Sequence, residues 1–579
     1  MALVRSPART ICRGHVLRRG YRMESGSYWS HMAPRQVTRR TVLRTAALGG
    51  AGLAGAALIG CGGGSSGGGT ATATKAAGAA AAKPRFGGTL KTVLGADPPG
   101  WSVLSAASVT GGMNSMAQDK LLEFAAGPGV DPTSTDLIPG LATALPEQPD
   151  GQTYVFKVRQ GVKFQNVPPV NGRPLTVEDV KFAIDTIRST GSFKKDFEAV
   201  TSVTAADAQT LVVKTDKPYA PLLVSTVGQY GWPIFPKELI DTKLTDSTTI
   251  GTGAYIRAEW QQGNKIVFKK NPDYWNKNLG FLDEIAFLII PNADGAVAAF
   301  NTNQLDLVVS GASTIAIPCE TIRAVTNAEV QSFTGSNAFS SFDTTKPPFN
   351  DVRVRKAVWL LYNREAEMQA VYCGKSSPTG LLTQARALKP TETHGDLLKR
   401  DVKQAKELLA AAGFANGFKA DIAWTPQYGA AYAAALELFA TALKEGGITL
   451  NPISYEYAKW IAEIYRPPFN WSGMCWSSGR GYPEPDQEIR YWLYPGGNTN
   501  QSRVNDPALN ALIDKQVGQL NVNERWDTLH AIERLEAKNL YYIFKNGSGS
   551  TNFYHKNLHD FVGDGHYSYH EFWYAWLDA

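Results

Sequence analysis

From Phe86 onward, apolar and polar positions alternate in short runs. Thr89 to Leu94, Tyr154 to Val158, Thr210 to Lys214, Lys265 to Lys269 and Ile285 to Ile290 each read as a β-strand. Between them lie stretches whose apolar residues recur three and four positions apart. One begins at Thr176, whose hydroxyl is placed to cap a helix carrying Val180, Phe182, Ala183 and Ile187. A second runs from Asp401 to Ala412, with Val402, Ala405, Leu408, Leu409 and Ala412 on one face and Gly413 as its stop. Asn505, Asp506 and Pro507 supply a cap followed by proline in the first turn of a third. Strands alternating with helices, without a repeat period, predict an α/β or mixed α+β protein. A chain of 579 residues exceeds what one core usually holds, so two or three lobes are expected.

The first 60 residues carry a different pattern. Thr38 to Arg44 is a charged start, Thr45 to Gly60 a weakly apolar run of Ala, Gly and Leu, and Leu58-Ile59-Gly60-Cys61 its end. A short apolar run closed by small residues describes an export signal and not a membrane span. The paired Arg39 and Arg40 resemble a twin-arginine signal, with Val42 where that signal often has Phe. Leu58 to Cys61 resembles a bacterial lipobox, in which the Cys61 thiol takes a diacylglyceryl group and anchors the chain to a membrane. The competing reading is a plain secretory signal with an incidental cysteine. Gly, Ser, Thr and Ala from Gly62 to Ala82 form a tether with little to bury. Met1, Met23 and Met32 are all candidate starts. A GxGxxG string at Gly50 to Gly55 lies inside the signal, with no strand before it, and is not a nucleotide site.

Charge changes meaning once this segment is set apart. The formal net charge is +6, but ten of the 58 basic residues and one of the 52 acidic residues lie in residues 1–60. The remainder holds 48 basic and 51 acidic residues, so nucleic acid is not an expected partner. The five cysteines show no metal-type spacing. With Cys12 removed and Cys61 modified, Cys319, Cys373 and Cys475 leave room for one disulfide, in any of three pairings. His555, His559, His566 and His570 form two i, i+4 pairs that could bind metal on a helix, but Tyr, Gly and Asp interrupt the segment, so packing or surface histidines are expected. No HExxH or GxSxG string is present, and Gly547 to Ser550 reads as a turn. An exported hydrolase or a purely structural lipoprotein are the other classes considered.

Six motifs in order carry a resemblance. They are Val158 to Phe164 (VRQGVKF), Leu175 to Val180 (LTVEDV), Gly251 to Tyr255 (GTGAY), Lys269 to Trp275 (KKNPDYW), Leu282 to Ile285 (LDEI) and Pro348 to Ala357 (PFNDVRVRKA). The chain from about Phe86 resembles the extracellular solute-binding proteins of family 5, the oligopeptide-binding type. Most of these residues are read as scaffold: Gly251 and Gly253 for backbone angles closed to other residues, Tyr274 and Trp275 for apolar area, Asn350 or Asp351 as a helix cap. The resemblance implies a two-lobed periplasmic-binding-protein type II fold. A large lobe would comprise 86–333 plus 546–579, with a subdomain inserted at about 113–250, and a second lobe 334–545. Residues 1–60 would be the signal and 61–85 the tether. Strands near Ser340 to Phe342 and Tyr541 to Phe544 would form the hinge. The implied function is capture of a peptide or peptide-like ligand between the lobes and its delivery to the membrane subunits of an ABC importer, by a monomer with no cofactor and no catalysis, lipid-anchored outside the cytoplasmic membrane.

The stretch from Trp471 to Asp486 is rich in aromatics, Gly and turn residues and suits a ligand wall. Trp476, Arg480, Gly481 and Tyr482 are its candidates, because the resemblance places the equivalent loop in the cleft. Trp101, Asn114, Phe339 and Trp424 are further candidates. Peptide-binding members carry an Asp just before the aromatic-x-(Asp/Glu)-Pro string, paired with the peptide ammonium. Here Gly481 precedes Tyr482-Pro483-Glu484-Pro485, and a buried ammonium lacking a carboxylate is costly. Glu484 or Asp486 could serve only if the loop is placed differently. The 14 Trp residues also suit stacking on sugar rings, so an oligosaccharide is the alternative ligand and a metal chelate a third.

Overall fold

The computed structural model describes residues 83–104, 108–190, 197–227, 232–310, 317–333, 338–477, 479, 482–547, 550–563 and 569–578. The sequence candidates Arg39, Arg40, Cys61, Arg480 and Gly481 lie outside these residues. Strands form at Thr89–Leu94, Thr153–Lys157, Thr210–Thr215, Lys265–Lys270 and Glu284–Ile289, within a residue of the alternating runs.

Helix starts follow side-chain caps. At Val177–Thr190, Asp179 N donates to Thr176 Oγ1 at 3.2 Å and Thr176 N donates to Asp179 Oδ2 at 2.9 Å, a reciprocal capping box. Asp401 caps Val402–Ala411, and Gly413 ends it with φ +92°. Asp506 caps Pro507–Val517, and Asp351, not Asn350, caps Val352–Leu361.

The sheets divide into two groups. In the first, Thr89–Leu94 pairs in parallel with Glu284–Ile289, followed by Lys265–Lys270 and Tyr255–Gln261 in antiparallel order. Beside it, Ser550–Tyr554 runs antiparallel between Leu307–Ser310 and Glu329–Phe333, so the C-terminal segment completes a sheet begun far earlier in the chain. Thr153–Lys157, Thr210–Thr215 and Val200–Asp207 make a separate antiparallel sheet. The second group is one five-stranded sheet in the order Ile448–Ser454, Phe418–Trp424, Met474–Trp476, Phe339–Phe342, Tyr542–Phe544.

The chain passes between the two groups twice, between Phe333 and Ala338 and between Gly547 and Ser550. Phe333 pairs with Ser550 on one side and Phe339 with Phe544 on the other, so the residues flanking the two passages are neighbours at both ends. The lobes also touch away from them. Ala220 N donates to Val517 O at 2.8 Å, and Gly151 faces Leu520 and Pro218.

Two sequence readings change. Gly251 and Gly253 are not at positive φ; an added Cβ would lie 2.5 Å from Ala117 O at the first and 2.6 Å from Ala117 C at the second. Close backbone approach, not an unusual dihedral, requires glycine there. Tyr274 and Trp275 supply polar contacts as well as area. Tyr274 Oη and Trp275 Nε1 donate to buried Asp119 at 3.2 and 2.9 Å, with Thr252 Oγ1 at 2.7 Å. Burial raises the Asp119 pKa, partly offset by these donors.

Candidate functional site

The Phe418–Trp424 and Met474–Trp476 strands are parallel, with Ile422 opposite Met474 and Ala423 opposite Cys475. Their carboxyl ends therefore place Trp424 and Trp476 on one edge of the sheet, where open α/β sheets bind ligands. Phe339 opens the antiparallel neighbour strand, with Ser340 opposite Trp476, and reaches the same edge. This is also the edge from which both passages to the other lobe leave. Three of the sequence candidates are thus brought together by register alone.

Trp476 is fully buried, with Phe439 5.0 Å and Tyr432 6.1 Å away between ring centroids. Its indole N–H donates to Tyr432 O at 3.2 Å, and the Tyr432 hydroxyl donates to Trp476 O. Phe339 is also fully buried, 4.7 Å from Trp492 and 5.1 Å from Tyr542. A Cβ at Gly479 would lie 2.5 Å from the Phe339 ring and 2.6 Å from Trp492, so the loop after Trp476 rests directly on these rings. Trp424, Tyr432 and Tyr482 remain half-buried and give the edge an aromatic face. Gln384 Nε2 donates to Tyr482 O and, at 3.2 Å, to Glu488 Oε2, fixing the far end of the loop.

Lys545, which sequence reasoning passed over, sits under this wall. It is nearly buried, donates to Ser477 O at 2.7 Å, and its ammonium is 3.6 Å from the Trp476 centroid and 5.2 Å from Tyr432. Burial lowers its pKa, opposed by the nearby Glu367, whose own pKa burial raises. Glu367 accepts from the Tyr362 hydroxyl and from Asn546 Nδ2 at 3.2 Å. The sequence signal was a lone lysine closing the apolar run Tyr541 to Phe544.

Both nearby carboxylates are committed elsewhere. Glu484 caps helix Pro485–Leu493 by accepting from Asp486 N at 3.0 Å and forms a buried ion pair with Arg525. Burial raises the Glu484 pKa, and the Arg525 charge opposes that rise. Asp486 pairs with Arg490 at 3.1 Å and accepts from Gln516. Both carboxylates considered from sequence for a ligand ammonium thus already have cationic partners within the protein.

Trp101 and Asn114 lie in the large lobe and are held together, Asn114 Nδ2 donating to Trp101 O at 3.2 Å. Trp101 is fully buried against Trp260, Phe268 and the Arg257 guanidinium, 4.4 Å from its ring. Its ring, like those of Trp476 and Phe339, is part of a buried core. Two buried acceptors, Oδ1 of the candidate Asn114 and Oγ of Ser477 next to Trp476, have no hydrogen-bond partner among the described residues. Of the histidines, His555 stacks on Phe300, His559 pairs with Asp578 and His570 with Glu123; His566 is outside the described residues. No group of three potential metal ligands occurs among the described residues.

The family model for bacterial extracellular solute-binding proteins, family 5 middle region, matches residues 136–500. The chain belongs to family 5 of these proteins. Heme-binding protein A of Haemophilus influenzae is 27% identical over 441 residues, covering 70% of this chain and 77% of that one. The dipeptide-binding protein of Escherichia coli is 25% identical over 399 residues, 63% of this chain and 71% of its own. Among solved structures, the periplasmic binding protein DppA of Helicobacter pylori with peptide STSA superposes with TM-score 0.67 at 22% identity, over 86% of this chain and 99% of that one. The family 5 chain therefore has the two-lobed type II fold and is an extracytoplasmic solute-binding protein. Among its described residues no helix is long and apolar enough to cross a membrane.

Proposed function

We propose that this family 5 protein captures a peptide-like ligand between its lobes and delivers it to the membrane subunits of an ABC importer. A lipid on Cys61 would hold the monomeric protein outside the cytoplasmic membrane, after export directed by Arg39 and Arg40. The observation carrying the reading is the gathering of Trp424, Trp476 and Phe339 on the one sheet edge from which both interlobe passages leave. A ligand there is enclosed when the lobes close, and closure gives the importer a distinct shape to recognise. The relatives named for dipeptide and peptide binding support the ligand class. Asn114, Tyr482, Arg480 and Gly481 would complete the wall, and the orphaned Asn114 Oδ1 and Ser477 Oγ suit ligand donors such as peptide N–H groups.

The loop bearing Arg480 keeps no carboxylate free for an ammonium, because Glu484 and Asp486 are already paired. An amine-blocked or carboxylate-bearing peptide fits this charge pattern better than a free dipeptide. The half-buried aromatics Trp424, Tyr432 and Tyr482 favour an oligosaccharide as the second reading. A thermal-shift screen of residues 83–579 with free dipeptides, N-acetylated dipeptides and oligosaccharides tests this, since a ligand that binds only the folded state raises the Tm. The blocked peptides are expected to give the largest shift. A sugar response with silent peptides would replace the reading, and silence throughout would remove it.

A further inference from the structure

The disulfide joins Cys319 to Cys373, with a Cα–Cα distance of 5.7 Å, and leaves Cys475 free and buried. The two partners belong to different lobes. Cys319 opens the short helix Cys319–Ile322. Ile322 and Val325 there pack on the core containing Ala296, Phe300 and Phe553, and Thr321 Oγ1 donates to Asp294 at 3.0 Å. Cys373 ends helix Arg364–Tyr372, which packs on helix Ala430–Glu445 beneath the five-stranded sheet. The 54-residue span between them contains the first passage from lobe to lobe.

Cys373 also lies beside the second passage. Three residues on, Ser376 Oγ donates to Gly547 O at 2.5 Å, Gly547 N donates to Ser377 O at 3.0 Å, and Pro378 bridges Asn546. The disulfide is therefore a third covalent link between the lobes, close to the start of the second passage. Two backbone connections alone leave lobes free to bend and to twist about one another. A third link beside them permits only rotation about an axis running close to all three, because disulfide-bonded Cα atoms stay within about 7 Å.

We propose that the Cys319–Cys373 disulfide is a strap that confines lobe movement to a hinge bend and blocks twisting and wide opening. Both cysteines are half-exposed, so a reductant can reach the strap in the folded protein. The proposal concerns the ligand-free chain and does not depend on which ligand binds.

Small-angle X-ray scattering of the ligand-free protein tests it, before and after reduction with a phosphine and with the C319S/C373S variant. Release of the thiols is verified by mass, and native secondary structure by circular dichroism. Breaking the strap is expected to raise the radius of gyration and to speed amide hydrogen exchange in Phe339–Phe342 and Tyr542–Phe544. Unchanged scattering and exchange in a folded, fully reduced protein would overturn the strap. So would loss of the fold in both the reduced and the substituted forms, which would make the bond a folding staple and not a limit on motion.

Discussion

The Lys545 ammonium lies 3.6 Å from the Trp476 ring centroid while donating to Ser477 O at 2.7 Å, so a single cation holds both the ring and the start of the loop that follows it. Trp476 is buried completely against Phe439 and Tyr432. Truncating it leaves a cavity over a desolvated charge. W476A is expected to lower the unfolding free energy by about 3–5 kcal/mol in a urea titration and to abolish the thermal shift with ligand. A loss under about 1 kcal/mol would contradict burial of the ring.

The Glu484–Arg525 ion pair is the second point of leverage. Both side chains are buried, so removing one charge strands the other. E484Q is expected to cost about 3–5 kcal/mol of stability while the folded protein keeps its ligand affinity within about twofold. A selective loss of affinity with stability intact would instead make Glu484 a ligand contact.

Glu533 provides a pH signature. Burial raises its pKa from 4.5 to about 8, with Leu388 N donating to it at 3.2 Å. The folded state therefore holds a proton that the unfolded state gives up above about pH 4.5, and stability falls as pH rises toward about 8. E533Q keeps the hydrogen-bond acceptor and removes the titration. Its Tm is expected to exceed that of the parent at pH 8 and to match it near pH 5; parallel Tm curves across that range would refute the assignment.

Gly151 marks the lobe contact away from the hinge, where an added Cβ would already lie 3.1 Å from Leu520 and 3.3 Å from Pro218. A larger side chain wedges the subdomain from the second lobe without entering either core. G151L is expected to leave unfolding by urea nearly unchanged, to raise the ligand-bound radius of gyration, and to increase the ligand dissociation rate. An unaltered dissociation rate would show that this contact plays no part in closure.

Local chemistry made much of the secondary structure legible. The alternating runs from Thr89 and Lys265 became strands, and Thr176, Asp401 and Asp506 capped the helices expected of them. These features depend on side chains within a few residues of one another, where spacing alone decides which groups meet. The six motifs likewise identified the family, because each is a local string.

What tertiary structure decided were matters of distance across the chain. Trp101 and Trp476 are both buried tryptophans close to a strand end, yet only folding packs the first against the Thr89–Leu94 sheet and sets the second at the end of the five-stranded sheet from which the passages between lobes leave. Gly251 needs its missing side chain because Ala117 comes against it, a contact 134 residues away in sequence. The pairing of Cys319 with Cys373, and not with Cys475, follows from which thiols folding brings within bonding distance, and Lys545 acquires its role only when Trp476, Tyr432 and Glu367 converge around it. The amino-acid sequence by itself determined the elements and the family; the packing of remote segments determined the site, since burial and electrostatic environment arise only when those segments meet.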